Sequence, residues 1–493
     1  MINEREIQGL YLNDFRIGEP DRDGLLRVDL IMGNDPIGEM DIDALKKMAL
    51  EILADKRIKR IRAVARQSGE RGLFLAKNLP PCGWRAYSPA SGAEKDEPRS
   101  DLKVGRRSLE NIFYRITFNA DGTFNLLDRR TEVKISRLHR LVDGGDRGDL
   151  YTFTAPEEDH LVSRPSRLPG RVKFDVIETG PVRATIRITR IYRLPASLQP
   201  DRRRRSRRKV NCRIITDVSL YAETPGIYFD TFIDNQARDH RLRVHFTAPF
   251  PARKCWTDGH FAVIHRNAQP PAGDYGTWAE KPDGLAPQKQ FTAIDDGKFG
   301  IAVINRGLPE YEILPGNETG TAEIALTLLR SVGWLSRGDL ANRPEHAGPA
   351  VETPEGQCPG DQTARYALLP YRGNWREGKI KLLANLFNAP PRSLAAGRKP
   401  GPLPASHSML TVEPEDIQLS CMKKADEGNA VIIRLFNCSD QEQETRIKPG
   451  FHFRTVSRAN LLEKPSGTPL QTSPGTIGFN LKPWQITTLR LEI

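Results

Sequence analysis

The sequence predicts a mainly β protein: a small β domain with one helix, a large antiparallel β-supersandwich and a C-terminal β-sandwich. Three observations carry that prediction. Apolar and polar residues alternate with a period of two over long stretches, which suits half-buried strands. Turn residues, 40 Gly and 37 Pro in 493 residues, are spread through the chain instead of gathering in one low-complexity tract. Helical spacing is scarce. The length allows two to four domains, so any large core has to be divided.

Residues 1–95 form the small domain. Residues 25–31 alternate as a strand does, and a helix is expected near 41–55. Asp41 or Asp43 can cap it, and Ile42, Leu45, Met48, Ala49 and Ile52 make an apolar stripe that would face a sheet. The segment closes at residues 79–87, where Pro80 and Pro81 force an extended entry and Gly83 allows a bend. A boundary rich in Pro, Ser, Gly and charge follows at 88–100.

Residues 107–390 read as strand and turn repeatedly. Residues 111–118 and 123–128 flank Asp121-Gly122, a dipeptide that supplies the positive φ of a tight hairpin. Residues 182–192, 210–220 and 227–233 continue as strands, and long antiparallel sheets packed face to face are the natural way to bury them. The proline-rich stretch 389–404 suits an extended linker. Residues 405–493 then form a compact β module, with strands at 429–437 and 485–493 and turns at Pro449-Gly450, Ser466-Gly467 and Pro474-Gly475.

The formal charge is +12, and much of the excess sits at 202–205 and 207–209. Such a block is expected to be a solvated loop whose charges keep it extended. The aromatic residues that single-strand binders interleave with basic ones are missing there, so no nucleic-acid partner is expected. Six cysteines are scattered with neither a Cys-x-x-Cys pair nor metal-ligand spacing, which fits reduced thiols and a cytoplasmic location. No apolar run approaches the ~20 residues of a membrane span, and the N-terminus has no apolar leader core, so no membrane partner is expected.

Residues 228–246, 305–311 and 328–337 resemble the C-terminal half of family 38 glycoside hydrolases, the α-mannosidases and their mannosylglycerate-cleaving relatives. Further blocks follow the family's order: 128–131, 143–151, 353–358, 367–370 and 419–424. The Pro80-Pro81-Cys82-Gly83 motif falls where these enzymes end their first β domain, and the large β domain resembles the galactose-mutarotase fold. In the family, catalysis belongs to an N-terminal α/β barrel. There a His-x-Asp pair, a nucleophilic Asp and a further His hold zinc, and a second Asp serves as acid and base in a retaining double displacement. None of the nine His of this sequence begins a His-x-Asp triplet.

The resemblance therefore implies no catalytic residue and no cofactor in this chain, zinc being expected in the catalytic domain. It implies a region that completes the sugar cleft of a barrel carried on another chain or lost, inactive alone, with an α-mannoside or related carbohydrate, a barrel chain and a homo-oligomer as its partners. The alternatives are a stand-alone carbohydrate-binding β protein and a fragment without a task.

Two substrate-binding residues follow from the resemblance. Tyr151 matches a tyrosine that the family's large β domain directs toward the sugar; its phenol can donate to a hydroxyl while the ring covers an apolar sugar face. The equal alternative is a half-buried strand tyrosine. Arg330 falls near an arginine that approaches the cleft in related Golgi enzymes, with Arg337 as the other match. Asp143, Asp146 and Asp149 suggest a calcium or acid/base cluster, but Gly144, Gly145 and Gly148 favour turns in which Asp bonds the local backbone. Asp234, Asn235, Arg238, Asp239, His240, Arg241 and Arg243 make a charged turn. Its His240 is either a proton carrier or part of a network that pins a hairpin register, the reading preferred here. Trp256, Trp278, Trp334 and Trp375 either stack on sugar rings or pack in the core.

Overall fold

The computed structural model describes the chain except residues 1–5, 8–9, 22, 34–39, 68–72, 89–99 and 395–400 and the single positions 167, 169, 271, 317, 468 and 474. The expected boundary at 88–100 and Pro474 of the last turn therefore fall largely outside the described residues, as does the middle of the 389–404 stretch. Two compact units emerge: residues 1–74 with 391–404, and residues 75–390 with 405–493.

The first unit holds a sheet in the order Glu6–Ile7, Leu10–Ile17, Leu25–Gly33, Arg60–Gln67. The last strand runs parallel to Leu25–Gly33, and the chain crosses between them through the helix Ile42–Ala54, the crossover that a parallel pair needs. Asp41 is the cap: its carboxylate accepts from the backbone N–H of Asp43 at 3.0 Å and of Ala44 at 2.9 Å. The expected apolar stripe is only half-buried at Ile42, Leu45 and Ile52, and Met48 and Ala49 are exposed. The described strands contribute just Leu12, Leu26 and Met32 as buried apolar side chains, too small a core to cover the helix.

The second unit contains the large supersandwich. Its nine-stranded antiparallel sheet runs in the order Val172–Thr179, Arg183–Pro195, Lys209–Tyr221, Ile227–Asn235, Gly360–Arg372, Phe299–Arg306, Phe291–Asp295, Lys254–Asp258, Val263–Asn267. A five-stranded sheet follows the order Arg140–Gly145, His240–Ala248, Ala322–Ser331, Glu310–Pro315, Leu285–Pro287. Ile186, Ile188, Ile214, Val218 and Phe229 of the first share one buried cluster with Leu141, Leu242, Val244, Phe246, Ile324 and Leu326 of the second. Each such side chain contributes roughly 1.5–3 kcal/mol by leaving water. The period-two patterning is what lets both sheets offer one apolar face to this layer.

The Asp121-Gly122 hairpin joins Tyr114–Phe118 to Phe124–Asp128, with Gly122 at φ +84°. Its first strand starts later than the sequence suggests because Asn111 turns a corner, its side-chain oxygen accepting from Phe113 and Tyr114 N–H at 2.9 and 2.8 Å. The C-terminal module is a sandwich of four- and five-stranded sheets around Leu410, Ile433, Leu435, Ile447, Phe479 and Leu489. A short strand, Gly83–Arg85, pairs with Ser406–Ser408. A second helix, Ile380–Asn388, was not expected; Lys379 precedes it without a side-chain cap, so no start signal marks it. Among the described residues no helix is long and apolar enough to cross a membrane.

Candidate functional site

Alternation along the five-stranded sheet sends Leu242, Val244, Phe246, Tyr311, Ile313, Ile324 and Leu326 into the core. Their neighbours in sequence therefore line the opposite face. That face is a lattice of ion pairs. Glu323 lies 2.6 Å from Arg140 and 2.8 Å from His245 Nδ1. Arg243 pairs with Glu312 at 2.5 Å and Arg241 with Glu310 at 3.2 Å. Burial, with Arg243 beside it, pushes the Arg241 guanidinium down to about 10, and Arg241 lies 3.4 Å over the Phe153 ring.

A register shift between Leu242 and Arg243 leaves Leu328 unmatched and sets Arg330 opposite Arg241. Arg330 is mostly buried. Its Nε donates to Asp146 Oδ2 at 2.8 Å, and Nη2 donates to the carbonyls of Asp149 at 2.9 Å and Thr152 at 3.2 Å. Burial works against charge in both partners. It leaves Asp146 raised above the usual carboxylate range in spite of Arg330, whereas for Arg330 burial is outweighed by Asp146 together with Glu310 and Asp149, which leave that guanidinium raised.

The loop that Arg330 holds is built by the two aspartates. Asp146 Oδ1 accepts from Gly148 N–H at 2.9 Å. Asp149 Oδ1 accepts from Tyr151 and Thr152 N–H at 3.0 and 2.8 Å, and its Oδ2 accepts from Arg337 N–H at 2.7 Å and from the Arg343 guanidinium. Arg343, nearly fully buried, also donates from Nε to Thr152 Oγ1 at 3.1 Å and from Nη1 to the Arg337 carbonyl at 3.2 Å. Leu150 N–H donates to the Trp334 carbonyl at 3.0 Å. The loop is thus tied both to itself and to residues 330–345.

Two side chains of the loop face solvent, Leu150 at 47% and Tyr151 at 56% exposure, and Tyr151 is the aromatic one. Its hydroxyl rests on Gly348, where an added Cβ would come within 2.9 Å of it. Beside it opens a cleft of about 530 Å³ lined by Trp334, Arg337, Asp339, Glu345 and His346. The structure thus brings the two substrate-binding candidates to one place, Tyr151 outward on the loop and Arg330, at the end of the strand Ala322–Ser331, holding the carbonyls on either side of it.

Several other expectations meet their outcome here. Asp146 and Asp149 build turns, as expected, but Asp143 does not: it lies in the strand Arg140–Gly145, and its carboxylate is bound by Arg205 and by His240 Nδ1 at 2.5 Å. Among the described residues, no group of three His, Cys, Asp or Glu side chains is placed to hold a metal ion. The charged turn is not a hairpin. Ile227–Asn235 belongs to the nine-stranded sheet and His240–Ala248 to the five-stranded one, so residues 236–239 cross between sheets. Asn235 and His240 pin that crossing. His240 is fully buried with Nε2 3.0 Å from Asn235 Oδ1, while Asn235 Nδ2 donates to Ser331 Oγ and to the carbonyls of Gln357 and Cys358.

The basic run is a largely exposed hairpin loop between the paired strands Arg183–Pro195 and Lys209–Tyr221, as expected, but its charges do not stand alone. Arg203 pairs with Glu157 at 2.7 Å, Arg204 with Glu158 at 3.2 Å, and Arg205 with buried Asp143; acids some 45 to 60 positions away in sequence attract it. Trp375 is buried, Trp256 stacks on His265 at 4.1 Å, Trp278 is exposed, and Trp334 is half-buried under Arg337. Arg343 escaped sequence reasoning because a single arginine between Asn342 and Pro344 carries no pattern. All six cysteines are free thiols.

Comparison with known proteins places these features. The sequence profile of the glycosyl hydrolases family 38 C-terminal domain matches residues 109–344, and that of the glycosyl hydrolases family 38 C-terminal beta sandwich domain matches residues 416–489. A "Putative mannosylglycerate hydrolase" of Halalkalibacterium halodurans is 26% identical over 415 residues, 81% of this chain and 43% of that protein. An α-mannosidase from Enterococcus faecalis superposes with a TM-score of 0.68 at 26% identity over 80% of this chain and 43% of that one. A family 38 glycosyl hydrolase structure from the same organism gives 0.67 at 25% identity, over 80% and 45%. The chain spans less than half the length of these relatives.

Proposed function

Because the chain belongs to glycosyl hydrolase family 38, whose C-terminal domains it carries, we propose that it completes the sugar-binding cleft of a zinc-dependent retaining α-mannosidase-like barrel that this sequence does not contain. In this reading Tyr151 meets the sugar, and Arg330 acts through it, by holding the loop. The observation that carries the proposal is the contrast within residues 146–154: Asp146, Asp149, Thr152 and Thr154 are buried, and Tyr151 stands out into solvent. A large aromatic with a free hydroxyl on a rigid loop suits a polyhydroxy ring, through its face and its O–H. A pocket closed between two domains also excludes water better than either surface alone. The substrate is an α-mannoside or a related carbohydrate, the partner is a barrel-bearing chain, with self-association into a homo-oligomer, and the free thiols fit a cytoplasmic setting.

The test is hydrolysis of a chromogenic α-mannoside with added zinc, comparing the chain alone with the chain co-expressed with a neighbouring reading frame that encodes a barrel. Activity confined to the pair, and lowered by Tyr151→Phe, is expected. A pair without activity would sink the hydrolase reading, and if the lone chain still bound mannosides saturably without zinc, a stand-alone binding protein would replace it.

A further inference from the structure

The helix Ile380–Asn388 begins against the electrostatic rule for helices. A helix N-terminus carries partial positive charge and favours acids, yet no acidic residue lies in its first turn and no side chain caps it. Three cations gather there instead: Arg376, Lys379 and Lys381. Lys379 takes the left-handed conformation, φ 53°. Ile380 N–H donates to the Trp375 carbonyl at 3.0 Å and Leu383 N–H to the Lys379 carbonyl at 3.0 Å, whereas no described residue accepts from the N–H of Lys381 or Leu382. Such donors are the ones that a helix start leaves over. The residues around them line a cavity of about 210 Å³, bounded also by Pro414, Glu415 and Asp416 of the C-terminal module. Trp375 is part of the same lining. It is 2% exposed, and its indole Nε1 has no acceptor among the described residues, although a buried indole N–H normally finds one.

The rest of the lining is already matched. Lys379 pairs with Glu415 at 2.8 Å, and Arg376 with Asp440 at 2.8 Å and Asp416 at 3.6 Å. Lys381 Nζ donates to Asp258 at 2.8 Å and to Gln290 Oε1 at 3.1 Å. The carbonyls of Trp375, Arg376, Lys379, Pro414, Glu415 and Asp416 each accept a hydrogen bond. The groups left over, the Trp375 indole N–H and the backbone N–H of Lys381 and Leu382, are therefore all donors. What fits them is a ligand of several acceptor oxygens, and the dipole and the lysines favour negative charge on it. Glu415 and Asp416 each carry a cation that offsets their repulsion. The Lys379–Glu415 pair, with both side chains more than half exposed, is weak enough to part for an ion.

We propose that this cavity is a binding site for a tetrahedral oxyanion of phosphate size, which takes the Trp375 indole N–H and the backbone N–H of Lys381 and Leu382 and so supplies the cap that the helix lacks. The site shares no residue with the Tyr151 loop, and the inference does not rest on the mannoside reading. A free inorganic ion and the phosphoryl group of a larger molecule share this chemistry.

Calorimetric titration of the full chain with inorganic phosphate and with glycerol 2-phosphate, at fixed ionic strength, tests it, with the indole N–H resonances of a nitrogen-15-labelled sample followed in parallel. One ion should bind per chain and saturate, and the indole resonance that moves should be the one that Trp375→Phe removes. Trp375→Phe should weaken binding about tenfold, the usual worth of a hydrogen bond to a charged group, and Lys379→Gln about threefold. Tighter binding of inorganic phosphate would assign the site to the free ion, and tighter binding of the ester to a phosphoryl group. No saturable heat from either probe, a shift at a tryptophan other than Trp375, or an affinity that the variants leave unchanged, which would mean an adventitious ion only, would overturn the site. Were Trp375→Phe to fail to fold, Lys379→Gln, at an exposed position, would still decide.

Discussion

Arg330 and Asp146, 184 positions apart in sequence, meet through Nε and Oδ2 at 2.8 Å, Asp146 fully buried and Arg330 mostly so. Their contact ties the end of a sheet strand to the loop that presents Tyr151. Removing one partner of such a pair strands the other charge, which costs about 3–5 kcal/mol.

Arg330→Met should therefore destabilise the second unit by that order, and Asp146→Asn in the same chain should restore part of the loss. Urea unfolding of the two single variants and the double variant measures the coupling. Additive losses would show that the pair does not hold the loop.

Tyr151→Phe should leave stability within about 0.5 kcal/mol, as surface substitutions usually do, and should lower mannoside turnover by the complete barrel-plus-platform assembly about tenfold. Thermal unfolding and kcat/KM, read together, separate the two effects. Unchanged turnover would place the tyrosine outside the cleft.

Gly148→Ala should disrupt the loop, because a Cβ there would fall 2.0 Å from the Thr152 carbonyl oxygen and backbone cannot yield as a side chain can. A loss of about 1–3 kcal/mol is expected. Gly348→Ala meets only the tip of the Tyr151 side chain, so it should shift that ring with little loss of stability. Amide exchange over residues 146–154 should rise in the first variant and not in the second.

Stability should fall as pH drops below neutrality through His245. Burial pushes this imidazole down to about 4, its Nδ1 facing Glu323 and its Nε2 having no partner. The unfolded chain binds the proton near pH 6.5 and the folded one does not until about 4, so the contribution is complete above 6.5 and is lost between 6.5 and 4. Between pH 7 and pH 5 the loss should be roughly 2 kcal/mol, and His245→Gln should flatten that slope. Equal slopes in the two proteins would mean that His245 is protonated in the folded state.

Much of the architecture was legible in the sequence. Period-two alternation at 182–192 and 210–220 reports half-buried strands directly, Asp121-Gly122 specifies its hairpin, and Asp41 its helix. These are local signals, set by neighbouring side chains and by the positive φ that glycine tolerates. The helix Ile380–Asn388 was missed because nothing caps it, and packing of Ile380 and Ala384 decides it instead.

The site was legible only in part. The turns at Asp146 and Asp149 could be named from sequence, since an Asx turn is a matter of adjacent residues, whereas Tyr151 was singled out only by the family resemblance. That 227–235 and 240–248 enter different sheets, that Arg203–Arg205 find acids at 157 and 143, and that Arg343 reaches Asp149 could not. Each depends on Coulomb and hydrogen-bond partners brought together from 40 or more positions away, or on a choice between two sheets that the same alternating pattern fits equally well. The sequence by itself determined which segments are strands and which residue types line the Tyr151 loop. Tertiary structure decided which charges are buried and paired, because burial is set by what packs on top, and that alone leaves Tyr151 as the loop's exposed aromatic.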